Sequence, residues 1–477
     1  MPIIGHIVPM VELAKLLLER HPHISITLLL LKLPYDSSVD SHTNSLSHSL
    51  VTPRIRLVHL PPQSLQPPQS LTFFANFLQL HKLLVRDVLA ELTRSDSIRL
   101  AAFVADMACS AVNDVTDQFG VPLYVFFTCG AVCADILLHM QRLHDEEGVD
   151  FLGELSDSGG ELKLASMANP VPARVWPALA TVKDAARTML FADVLRTRKS
   201  KGIIINTFEE LESRALQCFY NVAIESPPVY PVGPLLNLNG RAGDADQSHE
   251  YEDIMGWLEG QPPSSVVFLC FGSMGSFDED QVREIARGLE RSRQRFLWSL
   301  RRPPMKDLLA TARGPTNYEN LEGVLPEGFV DRTAEIGKIT GWAPQLDVLA
   351  HKAVGGFVSH CGWNSILESI WHGVPIATWP LYSEQQLNAF ELVRELGLAT
   401  EIRVDYRKDY LIDANNTNDL VTAEEIRRAV ESLMEQENEV RRKVKRMSEV
   451  CRKAVVDSGS SYSSLGRLID DIFQNLP

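Results

Sequence analysis

Short, uninterrupted apolar runs alternate with longer amphipathic stretches along this chain, and the rhythm occurs twice. Residues 24–31 (ISITLLLL), 100–105 (LAAFVA), 122–127 (PLYVFF) and 202–206 (GIIIN) read as strands. Strands that are apolar at every position fit parallel sheets covered on both faces. Between them lie helical patterns such as residues 9–20, with Met10, Leu13, Leu16 and Leu17 on one stripe. The same pattern restarts with strands at 266–271, 295–300, 355–358 and 376–379. Its helices cover 279–293 and begin again at Asn364 and Glu384. From Ala423 onward the chain is helical and charged. Repeated strand–helix units imply an α/β chain with two doubly wound domains. The domains predicted are residues 1–236 and 253–455, joined by a polar linker at 237–252. A C-terminal helix, 456–477, is expected to pack back on the first domain. The serine-rich stretch 37–49 reads as a surface loop.

Composition narrows the partners. Lys and Arg total 46 against 61 Asp and Glu, a formal net charge of −15. That balance argues against a nucleic-acid or anionic-membrane binder. It leaves room for an anionic small ligand, because local donors outweigh a distant field. The seven cysteines contain no CxxC and lie mostly in apolar runs, so they read as reduced core thiols of a cytoplasmic protein. No apolar run is long enough for a membrane span, and no basic region precedes residues 24–33 as a signal peptide requires.

The segment 342–385, WAPQLDVLAHKAVGGFVSHCGWNSILESIWHGVPIATWPLYSEQ, carries the chemistry. It holds a strand ending at Ser359-His360, a small-residue turn, and a helix for which Asn364 or Ser365 suits the N-cap. A strand, a tight turn and a helix N-terminus make an anion site, because backbone N–H groups and the positive dipole end point outward. His360 and Asn364 add donors. Trp342 offers a face for a base, and Glu368 and Glu384 offer carboxylates for sugar hydroxyls.

This segment resembles the signature box of the plant secondary-product (family 1) UDP-glycosyltransferases, with the same WAPQ, HCGWNS and final EQ. Gly5-His6, INTFEELE at 205–212, PVGPL at 231–235 and FGS at 271–273 extend the resemblance over most of the chain. It implies a GT-B fold, two Rossmann-like domains facing across a cleft. It also implies inverting, metal-independent transfer of a sugar from UDP to a small acceptor. UDP-glucose would be the co-substrate, with no cofactor, and the protein a monomer. Carried over, Trp342 and Ala343 would hold the uracil, with Gln345 beside it, and Glu368 the ribose. His360, Asn364, Ser365 and Ser273 would take the phosphates, and Trp363, Glu384 and Gln385 the sugar. Gln385 at the last box position goes with glucose.

An inverting transfer needs a base for the acceptor proton, and imidazole suits this near neutral pH. His6, just ahead of the first helical pattern, matches the family's catalytic histidine. Asp106 follows the run 101–105, at a strand's carboxyl end, and matches its partner aspartate. Other patterns carry less. Asp244 with Asp246, and Asp278 with Asp280, mimic a metal-binding pair in polar surroundings. His249 and Asp253 mimic an acyltransferase spacing without a supporting motif. No GxGxxG follows a strand, which discounts an oxidoreductase. The acceptor wall is expected around Phe73, Phe74, Phe77, Met140 and Met189, suiting a flavonoid, other phenolic or terpenoid, with plain core packing as the alternative for these aromatics.

The chain departs from the family pattern at its start. Only Met1-Pro2-Ile3-Ile4 precede Gly5, where the family has an apolar strand. About four missing buried side chains, at roughly 1.5–3 kcal/mol each, amount to about 6–12 kcal/mol. A domain is stable by about 5–15 kcal/mol. The expectation is therefore an upstream natural start, and the alternative function is a weakly active sugar-nucleotide-binding relative.

Overall fold

The computed structural model describes residues 3–31, 53–62, 72–94, 98–151, 160–181, 185–220, 226–238, 248–304, 314–408 and 420–476. Its contacts divide the chain into two units. One comprises Met1–Ala173, Ala178–Gly240 and Cys451–Pro477, and the other Arg174–Pro177 and Arg241–Val450.

The first unit opens with helix α1 (Ile4–Arg20), followed by strands β1 (Ile26–Leu30) and β2 (Ile55–His59) and helix α2 (Thr72–Thr93). Then come β3 (Phe103–Asp106), β4 (Leu123–Phe127), α3 (Ala131–Glu147), α4 (Ala185–Arg198), β5 (Gly202–Ile205) and β6 (Val229–Pro231). Every pairing among the six strands is parallel. β4 and β5 are buried at every position, as their unbroken apolar sequence requires.

The sheet comes in two pieces, β3-β4-β5-β6 and β1-β2. α1 spans both. Leu13 and Leu17 pack with Tyr124 and Phe126 of the larger piece, while Ile7, Val11 and Ala14 pack with Leu28 of the smaller one. α1 begins at Ile4, not at the expected residue 9, so Pro9 and His6 both lie inside it. Proline usually marks a first turn, which is why the pattern suggested a later start.

The second unit begins with α5 (Ser248–Glu259), β7 (Val266–Cys270), α6 (Glu279–Ser292), β8 (Arg295–Ser299) and β9 (Gly337–Thr340). It continues through α7 (Gln345–Ala350), β10 (Val354–Ser359), α8 (Trp363–His372), β11 (Ile376–Thr378), α9 (Gln385–Phe390), β12 (Ala399–Glu401) and α10 (Ala423–Met434). Its six parallel strands lie in the order β9-β8-β7-β10-β11-β12. Numbered within the unit this is 3-2-1-4-5-6, so the connections reverse direction between β7 and β10. A doubly wound sheet binds its ligand at the carboxyl ends of the strands flanking that reversal. Phe268 and Phe357 stack across these two strands, with ring centres 5.3 Å apart.

Several boundaries differ from those read in the sequence. The expected linker 237–252 runs into α5, which starts at Ser248, while residues 239–247, including Asp244 and Asp246, lie outside the described residues. The loop at 37–49 also falls outside them. Helix α11 (Glu439–Ala454) carries the chain out of the second unit at residue 451 rather than 456. Helix α12 (Ser460–Gln474) then packs in the first unit. Leu465, Leu468, Ile469 and Ile472 join the core around Tyr124, Tyr230 and Val232, and the Tyr124 hydroxyl donates to Asp471 at 2.6 Å. None of the seven cysteines is in a disulfide, and six of them are buried. No helix among the described residues is long and apolar enough to cross a membrane.

Candidate active site

In the first unit, His6 sits in the first turn of α1 and Asp106 is the last residue of β3. The His6 Nδ1 and Asp106 Oδ2 are 2.6 Å apart. The other carboxylate oxygen of Asp106 accepts the Ala108 N–H at 2.9 Å, capping the short 3₁₀ turn Met107–Val112. Burial alone would raise the Asp106 carboxyl, but the His6 ring and the Ala108 N–H hold it well below the usual range. Asp106 is thus a buried anion fixed at both oxygens. It engages Nδ1 of His6, not Nε2. The His6 side chain keeps 25% of its surface exposed, against 4% for Asp106.

Thr128, one residue past β4, places its hydroxyl 3.3 Å from His6 Nδ1. The sequence reading missed it. The available signal was its position at a strand's carboxyl end, next to the one carrying Asp106. Of the expected acceptor wall, Phe77 and Met140 are fully buried and serve as core, not as a wall. Met189 is partly exposed on α4, and the side chains of Phe73 and Phe74 lie outside the described residues.

In the second unit, the turns after β7 and β10 meet at the reversal point. Gly272 has φ +75°, and a Cβ there would stand 2.6 Å from Nε2 of His360, so the first turn approaches the imidazole as only glycine allows. Ser273, next to it, is exposed. His360 is 6% exposed, and burial lowers its pKa to about 4, so the ring is neutral near pH 7. Its Nδ1 has no hydrogen-bond partner among the described residues.

Cys361 follows at φ +61°, its carbonyl held by the Asn388 amide at 3.0 Å. Burial pushes the Cys361 thiol far up, which removes it as a nucleophile. The N-cap of α8 is Gly362, not Asn364 or Ser365, and no side chain caps it. Asn364 and Ser365 instead lie within the first turn.

α7 brings Gln345 against α8. Its amide donates to Ser365 Oγ at 2.8 Å and to Glu368 Oε2 at 2.7 Å. Burial pushes the Glu368 carboxyl up to about 7, with that amide bond opposing. Trp342 is held through its backbone: its N–H donates to Glu250 at 3.2 Å and its carbonyl accepts from Thr340 at 2.8 Å. Glu250, on α5, was missed, because nothing in a polar stretch marks a contact made 92 residues away. Ala343 is buried beside it.

Trp363 is 3% exposed, so burial claims most of its ring and opposes the expected sugar contact. Glu384 is partly exposed at the start of α9. Gln385 is buried, with its side-chain oxygen accepting the N–H groups of Leu381 and Tyr382 at 2.9 and 3.1 Å.

The discounted patterns are occupied by ordinary partners. Asp278 pairs with Lys408, Asp280 with Arg283, and Asp253 with Lys338. No group of three His, Cys, Asp or Glu that could hold a metal occurs among the described residues.

Residues 230–456 match the family model described as "UDP-glucoronosyl and UDP-glucosyl transferase". The chain is 50% identical to UDP-glucose flavonoid 3-O-glucosyltransferase 6 of Fragaria ananassa, over 99% of this chain and 97% of that one. The chain belongs to the plant family 1 UDP-glycosyltransferases. It is also 48% identical to UDP-glycosyltransferase 71A27 of Panax ginseng, over 99% of this chain and 98% of the relative. Among solved UDP-glycosyltransferases, it resembles one from Siraitia grosvenorii in complex with UDP, with a TM-score of 0.85, 42% identity, and coverage of 99% and 98% of the two chains. Medicago truncatula UGT71G1 complexed with UDP-glucose gives the same TM-score at 39% identity, over 98% of this chain and 96% of that one. The fold is therefore GT-B, and the protein is a UDP-glycosyltransferase.

Proposed function

We propose that this enzyme transfers glucose from UDP-glucose to a hydroxyl of a small lipophilic acceptor such as a flavonoid, with inversion and without a metal. The relatives' names support the donor and the acceptor class. The observation that carries the mechanism is the 2.6 Å contact between His6 and Asp106. His6 Nε2 takes the acceptor proton as the oxygen attacks the anomeric carbon. Asp106 fixes the ring tautomer and stabilises the imidazolium that forms.

The departing UDP gains charge as the glycosidic bond breaks. The uncapped N-terminus of α8 and the side chains of His360, Asn364, Ser365 and Ser273 receive its phosphates, a reading supported by the lack of a side-chain cap at Gly362. Trp342 stacks on the uracil beside Ala343, and Gln345 with Glu368 binds the nucleoside. Gln385 has its oxygen committed to its own loop, so its amide NH₂ is the group that meets a sugar hydroxyl, with Glu384 alongside. Trp363 supports them from within the packing.

The test uses UDP-glucose with a panel of flavonoid, phenolic and terpenoid alcohols, with products read by mass spectrometry. The wild type should add one hexosyl unit. His6→Ala should lose at least about 100-fold in kcat while binding UDP with unchanged affinity by calorimetry. Wild-type turnover in His6→Ala would remove His6 from the mechanism. A folded wild type that binds UDP yet yields no product across the panel would leave the sugar-nucleotide-binding alternative standing.

A further inference from the structure

INTFEELE, at residues 205–212, has no part in the chemistry described so far, yet its last residue is a buried acid. Glu212 is 3% exposed and forms no ion pair among the described residues. Its Oε1 accepts the N–H of Val132 at 2.8 Å. That N–H belongs to the first turn of α3, a 17-residue helix whose N-cap, Gly130, supplies no side-chain cap. A helix N-terminus carries unpaired donors and a partial positive charge, and a carboxylate there satisfies both.

Both units therefore contain a strand, a glycine turn and a helix, but their helix ends differ. In the second unit Gly362 leaves the start of α8 without a side-chain cap. In the first, a carboxylate 80 residues away in sequence occupies the start of α3. The turn 128–130 leads directly into the helix end that Glu212 caps at Val132, and Thr128 of that turn touches His6.

We propose that Glu212 is a positioning residue for the His6–Asp106 pair. Its carboxylate supplies the cap that α3 lacks and so holds the turn 128–130, with the Thr128 hydroxyl, against the imidazole. The same motif is anchored on its other side. Asn206 Oδ1 accepts the Leu235 N–H at 2.9 Å, tying the motif to PVGPL. Glu212 touches neither substrate; it acts through Thr128. The inference rests on the reading of His6 as the base.

The experiment compares Glu212→Ala, Glu212→Asp, Glu212→Gln, Thr128→Ala and the Thr128→Ala/Glu212→Ala double variant in the full-length enzyme, with His6→Ala alongside. Glu212→Ala is expected to lower kcat about 10- to 100-fold, the scale set by misplacing a reacting group. Acceptor KM and the Kd for UDP should stay within about twofold, since binding contacts remain in place. Glu212→Gln keeps an oxygen for the Val132 N–H and should recover most of the loss. Glu212→Asp keeps the charge but is one methylene short, and should not. The double variant should be no slower than the slower single, because both act through one contact.

Wild-type kcat in folded Glu212→Ala or Glu212→Asp, or fully additive losses in the double variant, would overturn the proposal. If Glu212→Ala does not fold, Glu212→Asp and the Glu212→Asp/Thr128→Ala pair separate the same two outcomes. Turnover retained in His6→Ala would mark a failure of the base reading, which is distinct from an inactive His6→Ala beside fully active Glu212 variants.

Discussion

Glu368 is the side chain through which the proposed donor binding would depend on pH. Burial pushes its carboxyl up to about 7, from an ordinary value of 4.5. A raised carboxyl favours the neutral form in the folded protein. Its stabilising contribution is full below pH 4.5 and is lost as pH rises through about 7. Ribose hydroxyls donate hydrogen bonds, so the proposed role needs the ionised form, and donor affinity should rise over the window in which that stability falls. UDP-glucose is the probe, because its diphosphate does not titrate there. Calorimetry should give a Kd about tenfold weaker at pH 6 than at pH 8. Glu368→Gln should bind weakly at both. A wild-type Kd flat across that range would take Glu368 out of nucleoside binding. The residue scale was also where sequence was most legible. His6 and Asp106 meet as expected, and Gln345 and Glu368 prove to be directly bonded. Thr128, Glu212 and Glu250 were not legible, because each acts through a partner far away in sequence.

At the scale of elements, the proposed donor site depends on how two turns approach each other. Gly272 lies against the His360 ring at φ +75°. Gly272→Ala must strain the backbone and displace the imidazole, since the added carbon would stand 2.6 Å from Nε2. It should weaken UDP binding by at least about tenfold, worth about 1.4 kcal/mol, while turnover at saturating donor changes less. Unchanged UDP affinity would mean that His360 lies off the phosphates. Eight strands were readable because unbroken apolar runs admit few alternatives, and their ends moved by at most three residues, whereas β2, β6, β9 and β12 were not read. Helix starts were less readable. Asn364 is a good capping residue by type, but the turn at Cys361 and Gly362 starts α8 earlier and leaves its first N–H groups uncapped.

For the molecule as a whole, the repeated rhythm announced two units, but not how the chain is shared between them. The return of α12 to the first unit was expected, but from residue 456 rather than 451. The segment Arg174–Pro177, which belongs to the second unit, carried no signal at all. Its anchors are Arg174 on Asp405 at 3.0 Å and Arg407 on the Trp176 carbonyl at 2.9 Å. The strands of the first unit form two pieces, β1-β2 and β3-β6, bridged by α1. Deleting residues 456–477 would remove Leu465, Leu468, Ile469 and Ile472 from the first unit's core. At roughly 1.5–3 kcal/mol each, that is about 6–12 kcal/mol, against about 5–15 kcal/mol for a whole domain. The truncated chain should lose the first unit's cooperative unfolding transition and all transfer activity, yet still bind UDP through the second unit. Calorimetric scans with and without UDP would show this. A truncated chain with both transitions intact would show that α12 is dispensable.

The placement of α12 also bears on how the polypeptide is made. Domains commonly fold in the order in which they leave the ribosome. Here the first unit lacks part of its core until the last residues emerge, whereas the second is complete once residue 450 is free. The amino-terminal half therefore waits, unfinished, through the synthesis of the entire second unit. Its exposed apolar surface during that interval is where a nascent chain would recruit a chaperone.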